Sequence, residues 1–300
     1  MPDLDPALVL GLIYKPYLVL GLALGGVFAM SGVGLVVLYR ATGVLNLAYG
    51  AIGAVGALIT WSLLDRTGIP EAPAYLVCVL FGGIATLVYG TIFGPPFAGR
   101  DPLVKAVATL GFLLILLGIM QWVWGRDAHS ITLPTSRWNY SIGDVRVSWT
   151  QILGVAFPII VTAGTAVFLR VTKLGTAMRS LANDREITAM LGVPVRRVEA
   201  AAWFGSGLVC GASGLLLSNL VGLDIAGLTF LVIPALAAAL IGQLRSLWVT
   251  LAAGIVIGVV YSFLNAFSSL ADYRTMTPFV LAIIALLWFA GRRNQVVGRV

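Results

Sequence analysis

Long apolar stretches separated by short polar ones set the rhythm of this chain. They run over 17–39, 43–64, 72–93, 103–124, 151–170, 198–221, 228–243, 247–267 and 276–290. Most approach the roughly 20 residues that a helix needs to cross a hydrocarbon core. The breaks carry loop punctuation: Asp65-Arg66-Thr67-Gly68-Ile69-Pro70, Gly94-Pro95-Pro96 and the polar interval Gly125 to Thr150. The pattern predicts an all-α fold, a polytopic integral membrane helix bundle of about eight or nine spans. Residues 1–300 form one transmembrane domain that includes an inner loop over 171–197. Three points stay open: the first helix can begin near Leu8, the 228–243 stretch is short, and Arg40 to Asn46 reads as a loop or as a broken helix.

Composition agrees. The chain is 59% hydrophobic and 10% charged with mean hydropathy +0.99, whereas soluble domains carry about 25% charged residues. The acidic, proline-containing start Met1 to Pro6 lacks the basic region of a cleavable signal, so the N-terminus is expected to be retained. Cys78 and Cys210 lie within apolar segments and read as small packing residues.

A net charge of +7 raises the possibility of nucleic acid or an anionic surface. Across nine crossings, however, thirteen of the nineteen basic residues and four of the twelve acidic ones fall on one side. That side is expected to be cytoplasmic, with the N-terminus outside and the C-terminus inside. Topology thus explains the positive charge, and no nucleic-acid partner is expected; the partner of most of this surface is the lipid bilayer.

Thirty-five glycines, many inside apolar segments (Gly21, Gly25, Gly53, Gly211, Gly254, Gly258), let helix backbones approach closely where lipid gives no advantage to apolar burial. The spacing Gly21-x-x-x-Gly25 reads as internal packing in preference to a dimer seam.

The polar interval from Lys173 to Arg197 is patterned. Leu174, Met178 and Leu181 recur at helical spacing, and Ile187, Met190 and Leu191 form a second apolar patch. Asn183 with Glu186 three residues later resembles a capping box, and Gly192 followed by Pro194 ends the helix. Two short amphipathic helices are predicted. Such helices lie on headgroups or dock on a partner; the interleaving of Asp184 and Glu186 with Arg179 and Arg185 favours a protein partner.

The run Gly175-Thr176-Ala177-Met178-Arg179-Ser180-Leu181-Ala182-Asn183-Asp184-Arg185-Glu186-Ile187-Thr188-Ala189-Met190-Leu191-Gly192-Val193 resembles the cytoplasmic coupling loop of the branched-chain amino acid (Liv-type) ABC transporter permeases. It leads, as in that family, into the glycine-rich stretch Gly205 to Gly214. Leu38 to Gly50 is similar to the family's N-terminal Asn-x-Ala-His-Gly region. Arg40 stands for the family's usual glycine, Tyr49 for its histidine and Thr176 for a common basic residue, and Ile241 to Ser246 keeps only part of a Gly-Gly-x-Gly-Ser stretch.

The resemblance implies the permease subunit of an importer for branched-chain or other amino acids, or small amides, in a bacterial inner membrane. It implies cytoplasmic ABC ATPase subunits, a second related permease and an extracytoplasmic solute-binding protein as partners, with ATP held by the ATPase. The expected coupling residues are Gly175, Met178, Arg179, Leu181, Asp184, Arg185, Ile187, Leu191 and Gly192. Met178, Leu181, Ile187 and Leu191 are assigned to apolar docking, and Arg179, Asp184 and Arg185 to orientation.

Asn46, Tyr49 and Gly50 are candidates for the translocation pathway; the Asn46 amide, which needs a partner that lipid does not supply, either lines the pathway or ties a broken helix together, and Tyr49 either packs as core or presents its hydroxyl to a solute. Arg40 reads as snorkelling to headgroups, His129 as a solvated loop residue, and Trp61, Trp122 and Trp124 as interfacial aromatics. The chain contains no Gly-x-x-x-x-Gly-Lys-Ser/Thr loop, no metal-ligand spacing and no catalytic constellation. No catalytic role and no cofactor of its own are expected. A secondary transporter or facilitator of a small neutral solute is the alternative reading, and a membrane enzyme the weakest.

Overall fold

In the computed structural model, residues 6–97, 99–125, 129–131, 133–137, 139–142, 145–230, 232–267 and 270–297 are described. The elements are α1 (Pro6–Thr42), α2 (Tyr49–Thr67), α3 (Glu71–Phe97), α4 (Pro102–Trp124), α5 (Pro134–Arg137), β1 (Asn139–Ile142), β2 (Val145–Ser148), α6 (Trp149–Val171), α7 (Lys173–Asn183), α8 (Arg185–Met190), α9 (Val195–Val221), α10 (Ile225–Phe230), α11 (Val232–Ile241), α12 (Leu247–Leu264), a 3₁₀ turn (Ala271–Met276) and α13 (Thr277–Val297).

Among the described residues each of the nine apolar stretches is mostly helix, the stretch from 43 beginning with six residues outside it. Among the described residues six helices are long and apolar enough to cross a membrane: Tyr14–Thr42, Glu71–Phe97, Pro102–Trp124, Trp149–Val171, Val195–Val221 and Leu247–Leu264. The other stretches form α2, the α10 and α11 pair, and α13. The polar interval before α6 adds a short antiparallel hairpin, with Asn139 opposite Ser148 and Tyr140 opposite Val147. The hairpin lies in the polar interval outside the apolar pattern, and the fold is the expected all-α helix bundle.

α1 is the spine of the bundle and touches α6, α7, α9, α11 and α12. Its closest neighbour is α12, and glycine makes that approach possible. A Cβ on Gly21 would lie 2.8 Å from Val259 Cα, and one on Gly25 would lie 2.6 Å from Ile255 O. Gly254 and Gly258 present the matching surface, so the small-residue stripe is spent inside the chain. α3 packs on α9 in the same manner. α2, nearly covered along its first three turns, is an interior helix.

Chain order places two ends. At one lie Thr42, the turn after α3, α7, α8 and the α11–α12 turn, joined by Arg40 Nη1 donating to Arg245 O at 3.3 Å. At the other, His129 and Leu223 pair through their backbones. His129 is half-buried and stacks on Trp61 with ring centroids 3.9 Å apart, so it is a packed residue and not a freely solvated one. Trp124 Nε1 donates to Ser62 Oγ at 2.7 Å, whereas Trp122 is 86% exposed and suits an interfacial position.

Candidate functional site

α1 stops at Thr42 and α2 starts only at Tyr49, leaving 43–48 without helix inside the bundle. Unpaired backbone in a lipid-spanning protein is costly, so such a stretch must be satisfied by protein. Thr109, seven residues into α4 and thus about 10 Å along it, does this: its Oγ1 accepts from Leu47 N–H at 3.0 Å and shares its one proton between Leu45 O at 3.0 Å and Ala106 O of its own helix at 2.7 Å. Asn46 is 1% exposed, and its Oδ1 accepts from Ala48 N–H at 3.1 Å. That bond fixes the amide orientation, which leaves Asn46 Nδ2 buried without a partner among the described residues.

The first turn of α2 is tied to α9. Tyr49 Oη donates to Ser206 O at 3.2 Å, Cys210 Sγ donates to Tyr49 O at 2.9 Å, and Ser206 Oγ donates to Gly34 O of α1 at 2.9 Å. Cys210 is therefore more than a packing residue. Gly50 faces α10 so closely that the Thr229 carbonyl oxygen occupies the place where a Cβ would sit. Tyr49 and Gly50 line a central cavity with Ser31, Ser213 and Leu228. At about 10 Å³ it holds no more than a single water. Gly34 and Ser206 line a second cavity of about 260 Å³ that reaches Met178 of α7. Tyr49 thus stands on one cavity while its acceptor residue stands on the next.

The predicted pathway residues come together, although Asn46 lies at the helix break and not on the cavity wall. Sequence reasoning did not single out Thr109 or Ser206; Thr109 is a lone hydroxyl in an apolar helix, and Ser206 is one of three serines in α9.

The inner loop forms the two short helices. Thr172 caps α7 by accepting from Gly175 N–H at 2.9 Å. The cap of α8 is Asp184, whose Oδ1 accepts from Ile187 N–H at 2.9 Å. Asn183 is instead the last residue of α7, which corrects the expected capping box. Leu191 follows α8, and Gly192 at φ +81° turns the chain away.

The predicted coupling residues divide into two groups. Gly175, Met178 and Leu181 are buried where α7 meets α1, α6 and α9. Ile187 and Leu191 are 53 and 77% exposed, and Met190 between them, outside the predicted set, is 78% exposed. Asp184 is exposed, Arg179 Nη2 donates to Thr176 Oγ1 at 3.3 Å, and Arg185 pairs with Glu199 of α9 at 2.9 Å. The loop is anchored by α7 and presents α8. Among the described residues no group of His, Cys, Asp and Glu has the arrangement of a metal site.

Comparison with known proteins follows the same lines. The family model described as branched-chain amino acid transport system, permease component, matches residues 17–286. The high-affinity branched-chain amino acid transport system permease protein BraD of Pseudomonas aeruginosa is 25% identical, covering 95% of this chain and 96% of its own. LivH of Escherichia coli, a permease protein of the same description, is 22% identical over 89% of this chain and 91% of its own. Among solved structures, PsaBC from Streptococcus pneumoniae in complex with Fab shares the fold with a TM-score of 0.50 at 14% identity, over 92% of this chain and 93% of that one. With that family model spanning all but the chain's two ends, this multi-pass membrane protein belongs to the permease components of branched-chain amino acid transport systems.

Proposed function

We propose that the chain is the membrane subunit of an ATP-driven importer for branched-chain or other amino acids, and that α7 and α8 couple it to an ATPase. The observation that carries this reading is the exposed trio Ile187, Met190 and Leu191 on a short helix held to the bundle by Arg185 and Glu199. Apolar side chains of that size at an aqueous end suit a protein groove. The basic-rich end that bears them is the cytoplasmic one, by the positive-inside rule. ATP is bound and hydrolysed by the partner; this chain transduces the closure of the ATPase pair.

Motion of α7 reaches the bundle through Met178 and Leu181, which bear on α1, α6 and α9. There it acts on the Gly34, Ser206 and Tyr49 chain of hydrogen bonds that lies between the two cavities. Asn46, Tyr49 and Gly50 line or support the pathway, and the tight central cavity corresponds to a closed state that must open to pass a solute. A solute-binding protein delivers the solute at the opposite end, and a second related permease completes the membrane unit.

Affinity purification of the tagged chain from its native membrane in mild detergent tests this assembly. Recovery of a P-loop ATPase together with a second multispan permease is expected. Recovery of the chain as a homo-oligomer alone, under conditions that keep other importers intact, contradicts it.

A further inference from the structure

The end of the bundle that carries α7 and α8 also gathers three guanidinium groups with no carboxylate among them. Arg40 belongs to the last turn of α1, Arg179 to α7, and Arg245 to the turn between α11 and α12. Arg40 Nη1 donates to Arg245 O at 3.3 Å, and the charges of Arg179 and Arg245 both act on Arg40. Arg179 Nε is buried with no hydrogen-bond partner among the described residues.

The four carboxylates at this end do not answer these charges. Glu199 is paired with Arg185 at 2.9 Å, and Asp184 caps α8. Asp101 and Glu186 are exposed and make no ion pair among the described residues. The turn that holds Arg245 is itself held in an unfavourable shape. Gln243 and Leu244 both have φ of +53°, a left-handed conformation that persists in non-glycine residues where the surroundings enforce it.

We propose that Arg40, Arg179 and Arg245 form a binding site for a phosphate-type anion that bridges the end of α1 to α7. Planar guanidinium groups match phosphate oxygens by paired hydrogen bonds, and an anion among three like charges replaces their repulsion with attraction. The site lies where the α1 span ends, at headgroup depth, so the phosphate can come from an anionic phospholipid or from solution. In either case occupancy seats α7 on α1 and ties the inner loop to the spine of the bundle. The inference rests on the membrane placement of the chain and not on ATPase docking, so the two fail separately.

The test uses the full chain in nanodiscs of phosphatidylcholine with and without phosphatidylglycerol, with retained lipid counted by native mass spectrometry. A second arm titrates inorganic phosphate into phosphatidylcholine discs and follows the unfolding midpoint. Retention of phosphatidylglycerol is expected, falling about tenfold in each of Arg40→Gln and Arg179→Gln, the loss of one charge-assisted hydrogen bond to a phosphate oxygen. Arg40→Lys keeps the charge and retains most of the lipid. Arg100→Gln, which removes an exposed arginine of the same end outside the cluster, leaves retention unchanged. A midpoint shift by inorganic phosphate that Arg40→Gln abolishes, without lipid retention, supports the site and assigns its phosphate to solution. Equal lipid retention and equal phosphate response in the wild type and the Arg40→Gln/Arg179→Gln double variant overturn the proposal. So does an equal loss in Arg100→Gln.

Discussion

Two stretches of this chain interrupt its spanning helices at or near the same end of the bundle, and they solve opposite problems. The break at 43–48 is half-buried and draws partners from itself, from the end of α1 and from the bundle: Asn46 Oδ1 accepts from Ala48 N–H, Thr42 Oγ1 accepts from Val44 N–H, and Thr109 serves the backbone of Leu45 and Leu47. The stretch from Thr172 to Gly192 caps its own helices through Thr172 and Asp184, then leaves Ile187, Met190 and Leu191 exposed. In the first stretch one buried side-chain donor, Asn46 Nδ2, has no partner among the described residues. The second keeps a buried donor of its own, Arg179 Nε, and in addition exposes three large apolar side chains.

The contrast predicts unequal sensitivity. Gly50→Val drives a side chain into the Thr229 carbonyl and is expected to lower stability by about 3 kcal/mol or more, read as loss of monodisperse protein on size exclusion. Thr109→Val keeps the shape but strands the Leu47 N–H, an expected loss of about 2 kcal/mol in thermal unfolding. Gln243→Gly relieves a left-handed residue and is expected to raise stability by about 1 kcal/mol. Arg185→Gln breaks a partly exposed ion pair and is expected to move stability by less than about 1 kcal/mol, because solvent screens such pairs. A Thr109→Val effect no larger than that of Arg185→Gln would erase the distinction between the two stretches.

The helices were legible in the sequence because apolar length is a local property. A break near Arg40 to Asn46 was legible as one of two readings, but the residue where α2 begins was not: Val44, Leu45 and Leu47 look as apolar as any span, and part of what makes irregular backbone tolerable there is Thr109, more than sixty positions later. The two short inner helices were legible from their periodicity, but the direction of each face was not. Met178 and Leu181 carry the same pattern whether they meet a partner or their own bundle, and contacts with α1, α6 and α9 decide for the bundle. Asn183 and Asp184 are equally good capping residues, so the cap is chosen by the path of the chain after α7. The stacking of His129 on Trp61 joins residues from separate segments and leaves no trace in either. The partial loss of a glycine-rich pattern near Gln243 was visible, and its meaning became plain once φ was known.

The most direct test of the account is solute-stimulated ATP hydrolysis by the reconstituted importer carrying Leu191→Asp, alongside the unfolding midpoint of the variant chain. Because Leu191 is exposed in the free chain, the midpoint should stay within about 0.5 kcal/mol of wild type. Stimulated hydrolysis should fall at least about tenfold, the loss of one buried apolar anchor at an interface. Undiminished stimulation with the midpoint unchanged would contradict the assignment of α8 as the docking element.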